Sequence, residues 1–445
     1  MYKIFIAENV PGLNKGEMTI LEGMLESFKS LGEVELSMLS TLPDIDKHRY
    51  GTKVKIIRVL RYLPLSLQLT IANVRNLIVR LFSSVAFLCQ HMLFLILYKA
   101  SGSRALKLMK SEIWKDYLES HIIIMGHNGT FGIGGGVGNP IVFYHLFVPF
   151  FARMLGKPVA FYGGTIHPPV KFRWLLGKAY AFALSKIDLI TLRERISYQN
   201  LKALGLQNDK IFVTADPAFL LQPASPERAG EIMRYESIGD SHKPLIGLTV
   251  TREKASLAFP ELNSPQSSYH RHIEMLAGVI DKLIDKLNAR VVFIPHCIGY
   301  GEKLDDRIVA NDVFQRCHNK IQVKLITTEY SAAELKGLIG KFDFFIGERL
   351  HSVINAMSMG VPSIVISNAA DQRLDIIRML GQDEAICYIE NLDKDALLAR
   401  INNAWSRRES IKEELRGQVE IAREQAELNG KLLRELLDYR HTGSH

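Results

Sequence analysis

Cysteine is scarce in this 445-residue chain, and its four copies are far apart. Cys89, Cys297, Cys317 and Cys387 form no CxxC pair, so neither a disulfide framework nor a cysteine-based metal finger is expected, and the pattern suits a reducing, cytoplasmic compartment. No histidine pair has metal-ligand spacing, so no metal is expected, and no Gly-x-Ser-x-Gly elbow marks a serine nucleophile. The glycine-rich stretch Gly126–Gly138 lacks the Lys-Ser/Thr ending of a phosphate-binding P-loop and the spacing of a dinucleotide fingerprint. The opening MYKIFIAENV is a strand followed by a polar loop, not a cleavable export signal.

Long uninterrupted apolar runs are absent too. The nearest is Leu81–Tyr98, shorter than the roughly 20 residues that span a bilayer and interrupted by Gln90 and His91. Arg75 and Arg80 precede it, and Lys99, Arg104, Lys107 and Lys110 follow. The expected role is an interfacial helix whose basic flanks meet an anionic membrane surface; burial in a core is the alternative. The localisation that follows is cytoplasmic, peripheral on the cytoplasmic membrane face.

What is present is a globular composition, 47% hydrophobic and 23% charged, in a chain long enough for two domains. The net charge of +8 favours anionic partners such as phosphorylated metabolites or lipid surfaces. Nucleic acid is not expected, because the positive charge reads as dispersed and no recognition motif accompanies it.

Strand and helix patterns alternate twice. The first series runs from KIFIAEN to KIFVTADPAFLL. After a polar linker with Pro223 and Pro226, a second series begins at KPLIGLTVT and ends at PSIVIS. The fold class is therefore α/β, two Rossmann-like domains facing a cleft. The expected boundaries are residues 1–230, with a basic apolar helical insertion at about 53–112, then 241–405, then a helical tail at 406–445. Ser331 and Glu334 have the spacing of a capping box.

The most informative segment is GERLHSVINAMSMGVP, Gly347–Pro362. It follows the apolar run KFDFFI, so Arg349 and His351 are expected where a buried parallel strand ends, the ligand-binding side of an open α/β sheet. A guanidinium fork suits phosphate or carboxylate, and an imidazole exchanges protons near neutrality. Arg193 follows the strand DLITL in the same way. His127, Asn128, Gly129 and Thr130 lie in the glycine-rich loop, where the missing Cβ permits close backbone approach. His296 ends the strand VVFI; Asp305 and Asp306 follow it, as helix caps or as acceptors for sugar hydroxyls. Asn368 follows SIVIS.

In order along the chain, GLNKGEMTILEGM, GHNGTFG, ITLRERIS, VTADPAFLL, LIGLTV, VVFIPH…DD and GERLHSVINAMSMGVPSIVIS resemble the polysaccharide pyruvyl transferase family. The resemblance implies a GT-B-like fold and transfer of the enolpyruvyl group of phosphoenolpyruvate onto a sugar diol of a cell-surface or exopolysaccharide glycan, forming a pyruvate ketal. Phosphoenolpyruvate would be the donor substrate, with no cofactor, and the glycan acceptor could be lipid-linked. It implies that Arg349 and His351 are catalytic and that Arg193 belongs to the active site; from their own positions in the sequence, His127, Asn128, Gly129, Thr130, His296 and Asn368 are expected to bind substrate beside it. The chain departs from the family at Asn368–Arg373, where a tyrosine and a nearby lysine are usual, and at Gly16-Glu17, where glycine–aspartate is common. The competing reading is a GT-B glycosyltransferase using a nucleotide sugar. Many such enzymes place a glutamate just before the Ala-Met pair, where this chain has Asn355.

Overall fold

The computed structural model describes residues 1–9, 12–58, 75–126, 130–131, 140–167, 173–206, 209–238, 243–262, 264–299, 301 and 304–442. The chain forms two compact units, one comprising Met1–Gly12, Ser27–Asp216 and Ala426–His445, the other Leu13–Glu26 and Pro217–Gln425.

In the first unit the strands are β1 (Tyr2–Asn9), β2 (Val34–Ser40), β3 (Lys55–Arg58), β4 (Ile122–Met125), β5 (Thr130–Phe131), β6 (Val159–Ile166), β7 (Leu189–Leu192) and β8 (Ile211–Val213). They pair in the order β3-β2-β1-β4-β6-β7-β8, with β5 against β6, and every pair is parallel. Runs such as IIIM and LITL are buried along their whole length, as expected of strands covered by helices on both faces.

The second unit contains β9 (Leu245–Thr249), β10 (Arg290–Phe293), β11 (Val323–Leu325), β12 (Phe344–Gly347), β13 (Ser363–Ser367) and β14 (Ile386–Tyr388). Their order is β11-β10-β9-β12-β13-β14, the doubly wound arrangement in which strand order reverses between β9 and β12. Ile246, Leu248 and Ile346 of the sheet share a core with Ile273, Leu276, Ile280 and Leu283, which recur at helical spacing on the helix Pro265–Leu287. That helix starts at the Ser264 cap with Pro265 in its first turn and stops at Asn288 in the left-handed region. The capping box is present: Ser331 Oγ accepts the Glu334 N–H at 3.2 Å, and Glu334 Oε2 accepts the Ser331 N–H at 2.9 Å.

The unit boundaries differ from those expected. The break falls at Asp216–Pro217 rather than near residue 230. The linker beyond it is packed: Ala224 N–H donates to the Ala333 carbonyl at 2.8 Å, and buried Lys336 donates to the Leu221 carbonyl at 2.8 Å. The 406–445 tail is not separate. In the helix Arg408–Thr442, Arg423 reaches the Ser358 carbonyl of the second unit at 3.4 Å. Further along, Asn429 accepts from Thr214 Oγ1 at 2.8 Å in the first unit. Nor is 53–112 wholly helical, because Lys55–Arg58 forms β3. An apolar stripe shows that a segment packs, and its chemistry does not say on which core.

The helix Arg75–Ser101 contains the apolar run Leu81–Tyr98. Phe94, Leu95 and His91 are buried, with Phe94 stacked on Trp114 at 4.6 Å and His91 edge-on to it at 4.5 Å. Val85, Leu93 and Ile96 remain exposed. No helix among the described residues is long and apolar enough to cross a membrane.

Candidate functional site

The carboxyl ends of β9, β10, β12 and β13 gather the polar residues of the second unit. The end of β12 needs Gly347, since a Cβ there would collide with the Val353 side chain and stand 3.1 Å from Thr249 Oγ1. Close packing of the helix Leu350–Ser358 against the sheet follows, and Thr249 Oγ1 bonds Ser352 Oγ at 2.8 Å. Glu348 is buried; its Oε2 accepts the Thr251 N–H at 2.6 Å, and its Oε1 lies 2.6 Å from Nε2 of buried His272. The residue before Arg349 is thus clamped from two sides.

Arg349 begins the helix in extended conformation, on the β12 side of the switch between β9 and β12, where an open sheet binds ligands. Its Nη2 donates to Asp306 Oδ1 at 2.6 Å. The other oxygen, Oδ2, accepts the His296 and Cys297 N–H groups at 3.0 and 2.8 Å. Burial disfavours the Arg349 charge, but Asp306 outweighs it and holds the guanidinium above its ordinary pKa. Burial raises the Asp306 pKa, with Arg349 acting against it. The arginine side chain is still 21% exposed, so the fork is fixed without being enclosed.

His351 stands in the first turn of the same helix, half-buried. The helix Lys15–Ser27 begins against it: a Cβ on Gly16 would lie 3.0 Å from His351 Nδ1. That helix start is tied down by the Lys15 N–H to the His296 carbonyl, 2.7 Å, and by an Asn14–Cys297 bridge. Lys15 is almost fully buried and its Nζ reaches Glu329 Oε1 at 2.8 Å. His296 is 1% exposed. Burial lowers its pKa to about 3, opposed chiefly by the Ile294 carbonyl, while the charges of Arg349, His351 and Lys15 act in the same sense as burial. Neither of its ring nitrogens makes a hydrogen bond of good geometry. Arg349, His351 and Lys15 therefore stand around the neutral imidazole of His296, with Asp306 as the counter-ion of the arginine and Glu329 that of the lysine.

Asn368, after β13, is half-buried and accepts from Lys254 Nζ at 2.7 Å. Lys254 also reaches Ser367 Oγ at 2.8 Å, and burial lowers its pKa, partly offset by Asp371. A lysine thus does stand beside the end of β13, supplied by the helix Arg252–Ala255 after β9 rather than by the segment after SIVIS.

The remaining expected residues belong to the first unit. Arg193 is 1% exposed, with Nη1 on Asp216 Oδ2 and Nε on Thr165 Oγ1, both 2.8 Å. Neighbouring Glu194, bonded by Thr165 and Ser197, is pushed up to about 7 by burial, with Arg193 opposing. Arg193 is therefore a buried strut, not a surface guanidinium at the end of β7. His127, Asn128 and Gly129 lie outside the described residues; Thr130 opens β5 and pairs with Thr165. Asp305 caps the helix Asp306–Arg316 and binds its own neighbour Arg307, so of the two aspartates one is a cap and the other the counter-ion of Arg349.

The sequence points to Arg349, His351 and His296, and the structure groups them. It does not single out Lys15, Lys254, or Asp306 as Arg349's partner. The Asp-Asp pair after VVFIPH is the one signal that could have found the last. Among the described residues no group of three or more His, Cys, Asp or Glu is arranged to hold a metal ion.

A family model described as polysaccharide pyruvyl transferase matches residues 14–370. The amylovoran biosynthesis protein AmsJ of Erwinia amylovora is 26% identical over 310 residues, 69% of this chain and 71% of that protein. Among solved structures, a glycosyltransferase from Rickettsia africae matches at a TM-score of 0.57 with 13% identity, covering 98% of both chains. A UDP-GlcNAc 2-epimerase from Neisseria meningitidis matches at 0.56 and 10%, covering 97% of this chain and 99% of that one. Anabaena HepE, solved with UDP, matches at 0.56 and 11%, covering 99% of this chain and all of that one. At these identities the structural likenesses establish the GT-B-like fold.

Proposed function

The chain belongs to the polysaccharide pyruvyl transferase family, and from that premise we propose that it moves the enolpyruvyl group of phosphoenolpyruvate onto two hydroxyls of a glycan, releasing phosphate and leaving a pyruvate ketal. The observation that carries this reading is the pairing of a fixed, partly exposed Arg349 with His351 two residues on, at the carboxyl end of β12.

The chemistry asks for little beyond these groups. A proton delivered to C3 of the enol makes C2 electrophilic; one sugar hydroxyl adds to C2, the C2–O bond to phosphate breaks, and the second hydroxyl closes the ketal. His351 is the proton carrier, since imidazole is matched to proton transfer near neutrality. Arg349 holds a phosphate or carboxylate through two N–H groups and stabilises the charge as it moves onto phosphate. His296, buried and kept neutral, is not the acid; its backbone N–H and carbonyl hold Asp306 and the Lys15 helix start in place. Lys254 and Asn368 present a polar edge that suits sugar hydroxyls. Arg193 acts at a distance, fixing the end of β7.

Incubation of the protein with phosphoenolpyruvate and a panel of soluble and lipid-linked glycans tests the proposal. Phosphate release matched by a product heavier by one pyruvate less one water is the expected result. Release of a nucleotide from a nucleotide sugar, with phosphoenolpyruvate untouched, would replace it.

A further inference from the structure

The exposed side of the helix Arg75–Ser101 has no catalytic explanation. Val85, Cys89, Leu93 and Ile96 are all exposed, and at about 100° per residue they fall within an arc of roughly 80°. Ile96 is 61% exposed, Val85 55% and Leu93 48%. The opposite side carries His91, Phe94 and Leu95 into the core, so this orientation is fixed by packing. Lys99 continues the exposed side, and the next helix, Arg104–Met109, adds exposed Arg104, Lys107 and Leu108, with Lys110 just beyond. None of these four cations forms an ion pair among the described residues.

The positive charge of the chain is segregated, not dispersed. From Lys47 to Ser111 there are twelve lysines and arginines and no aspartate or glutamate, against a net +8 for the whole protein. The cationic surplus sits in the segment that also leaves branched apolar side chains in water.

We propose that the helix Arg75–Ser101, with Arg104–Lys110, is a docking surface for an anionic phospholipid bilayer. Such a surface offers acyl chains to Val85, Leu93, Ile96 and Leu108 and negative headgroups to Lys99, Arg104, Lys107 and Lys110, which is the pairing an interfacial helix needs. Nucleic acid matches the charge and leaves the apolar line unsatisfied. A second copy meeting the patch about a two-fold axis matches the apolar line and sets like charges against each other. The helix lies on the membrane and does not cross it. An enzyme attached this way acts on acceptors held at a lipid surface.

Flotation of the full chain with vesicles of phosphatidylcholine, alone or mixed with phosphatidylglycerol, tests this independently of any catalytic assay. The expected result is flotation with the mixed vesicles, weakened by added salt. Lys99→Glu/Arg104→Glu/Lys107→Glu should bind on the order of 10²-fold more weakly, from the contribution of three cations near an anionic surface. Leu93→Glu/Ile96→Glu should also lose binding, with melting temperature and circular dichroism unchanged, because both positions are exposed. Wild-type protein that floats with neither vesicle, or variants that float like wild type, overturn the proposal. So do vesicle-free binding of duplex nucleic acid by the same cations, and a Leu93→Glu/Ile96→Glu variant that turns a dimer into a monomer while flotation persists.

Discussion

Arg349 is held by Asp306 through contacts of 2.6, 3.2 and 3.3 Å, and Asp306 is itself held by the His296 and Cys297 amides. The carboxylate joins the end of β10 to the end of β12 and fixes a fork that would otherwise sample many rotamers. Asp306→Asn should keep the fold, cost about 1.5–3 kcal/mol for a lost charged hydrogen bond, and lower donor turnover more than Arg349's charge alone would require. Arg349→Lys should lose about 10²–10³-fold in turnover, as expected when a preorganised donor is lost. Phosphate release at saturating phosphoenolpyruvate measures both, and near-native rates in Arg349→Lys would remove the fork from the mechanism.

Gly16 and His351 offer a steric test that alters no charge. An alanine methyl at position 16 would sit 3.0 Å from His351 Nδ1 and 3.1 Å from its Cβ, so the imidazole must turn or the helix start must shift. Gly16→Ala should reduce turnover toward the level of His351→Ala, itself about 10²–10⁴-fold down. A bell-shaped pH profile that survives in His351→Ala would assign the proton to another group.

Arg193 should behave as a structural residue. Removing it leaves Asp216 buried without its cation, and breaking a buried pair costs about 3–5 kcal/mol. Arg193→Ala should therefore lower the denaturant midpoint strongly, with lost activity following lost fold. A variant of normal stability with a raised KM for phosphoenolpyruvate would return Arg193 to direct donor binding.

Acid should destabilise the protein below the ordinary histidine range. Burial lowers His91 and His296 from 6.5 to about 3, outweighing a backbone carbonyl that opposes it in each case. Between those values the unfolded chain binds more protons, so stability rises with pH across the window and is fully present above about 6.5. Glu194, raised to about 7 by burial, works the other way, favouring the fold at low pH and losing that contribution as pH rises through 7. Melting temperatures across the acid range should flatten in His91→Phe and steepen in Glu194→Gln. Superimposable curves for wild type and His91→Phe would exclude His91 as a source of the slope.

The alternation of apolar strands with amphipathic helices, the Ser331–Glu334 cap and the strand-end position of Arg349 and His351 were all written in the sequence. Each depends on local periodicity or on neighbours a few residues away. The family too was legible, because its motifs recur in order. Four outcomes needed the tertiary structure. Asp306 became the counter-ion of Arg349 across 43 positions; Lys254 reached Asn368 across 114; Gly16 met His351; and Arg193, which reads like Arg349 as a strand-end arginine, was buried against Asp216. Charge and shape specify that such groups need partners, and only sheet order decides which strand ends become neighbours and how much water each arginine keeps.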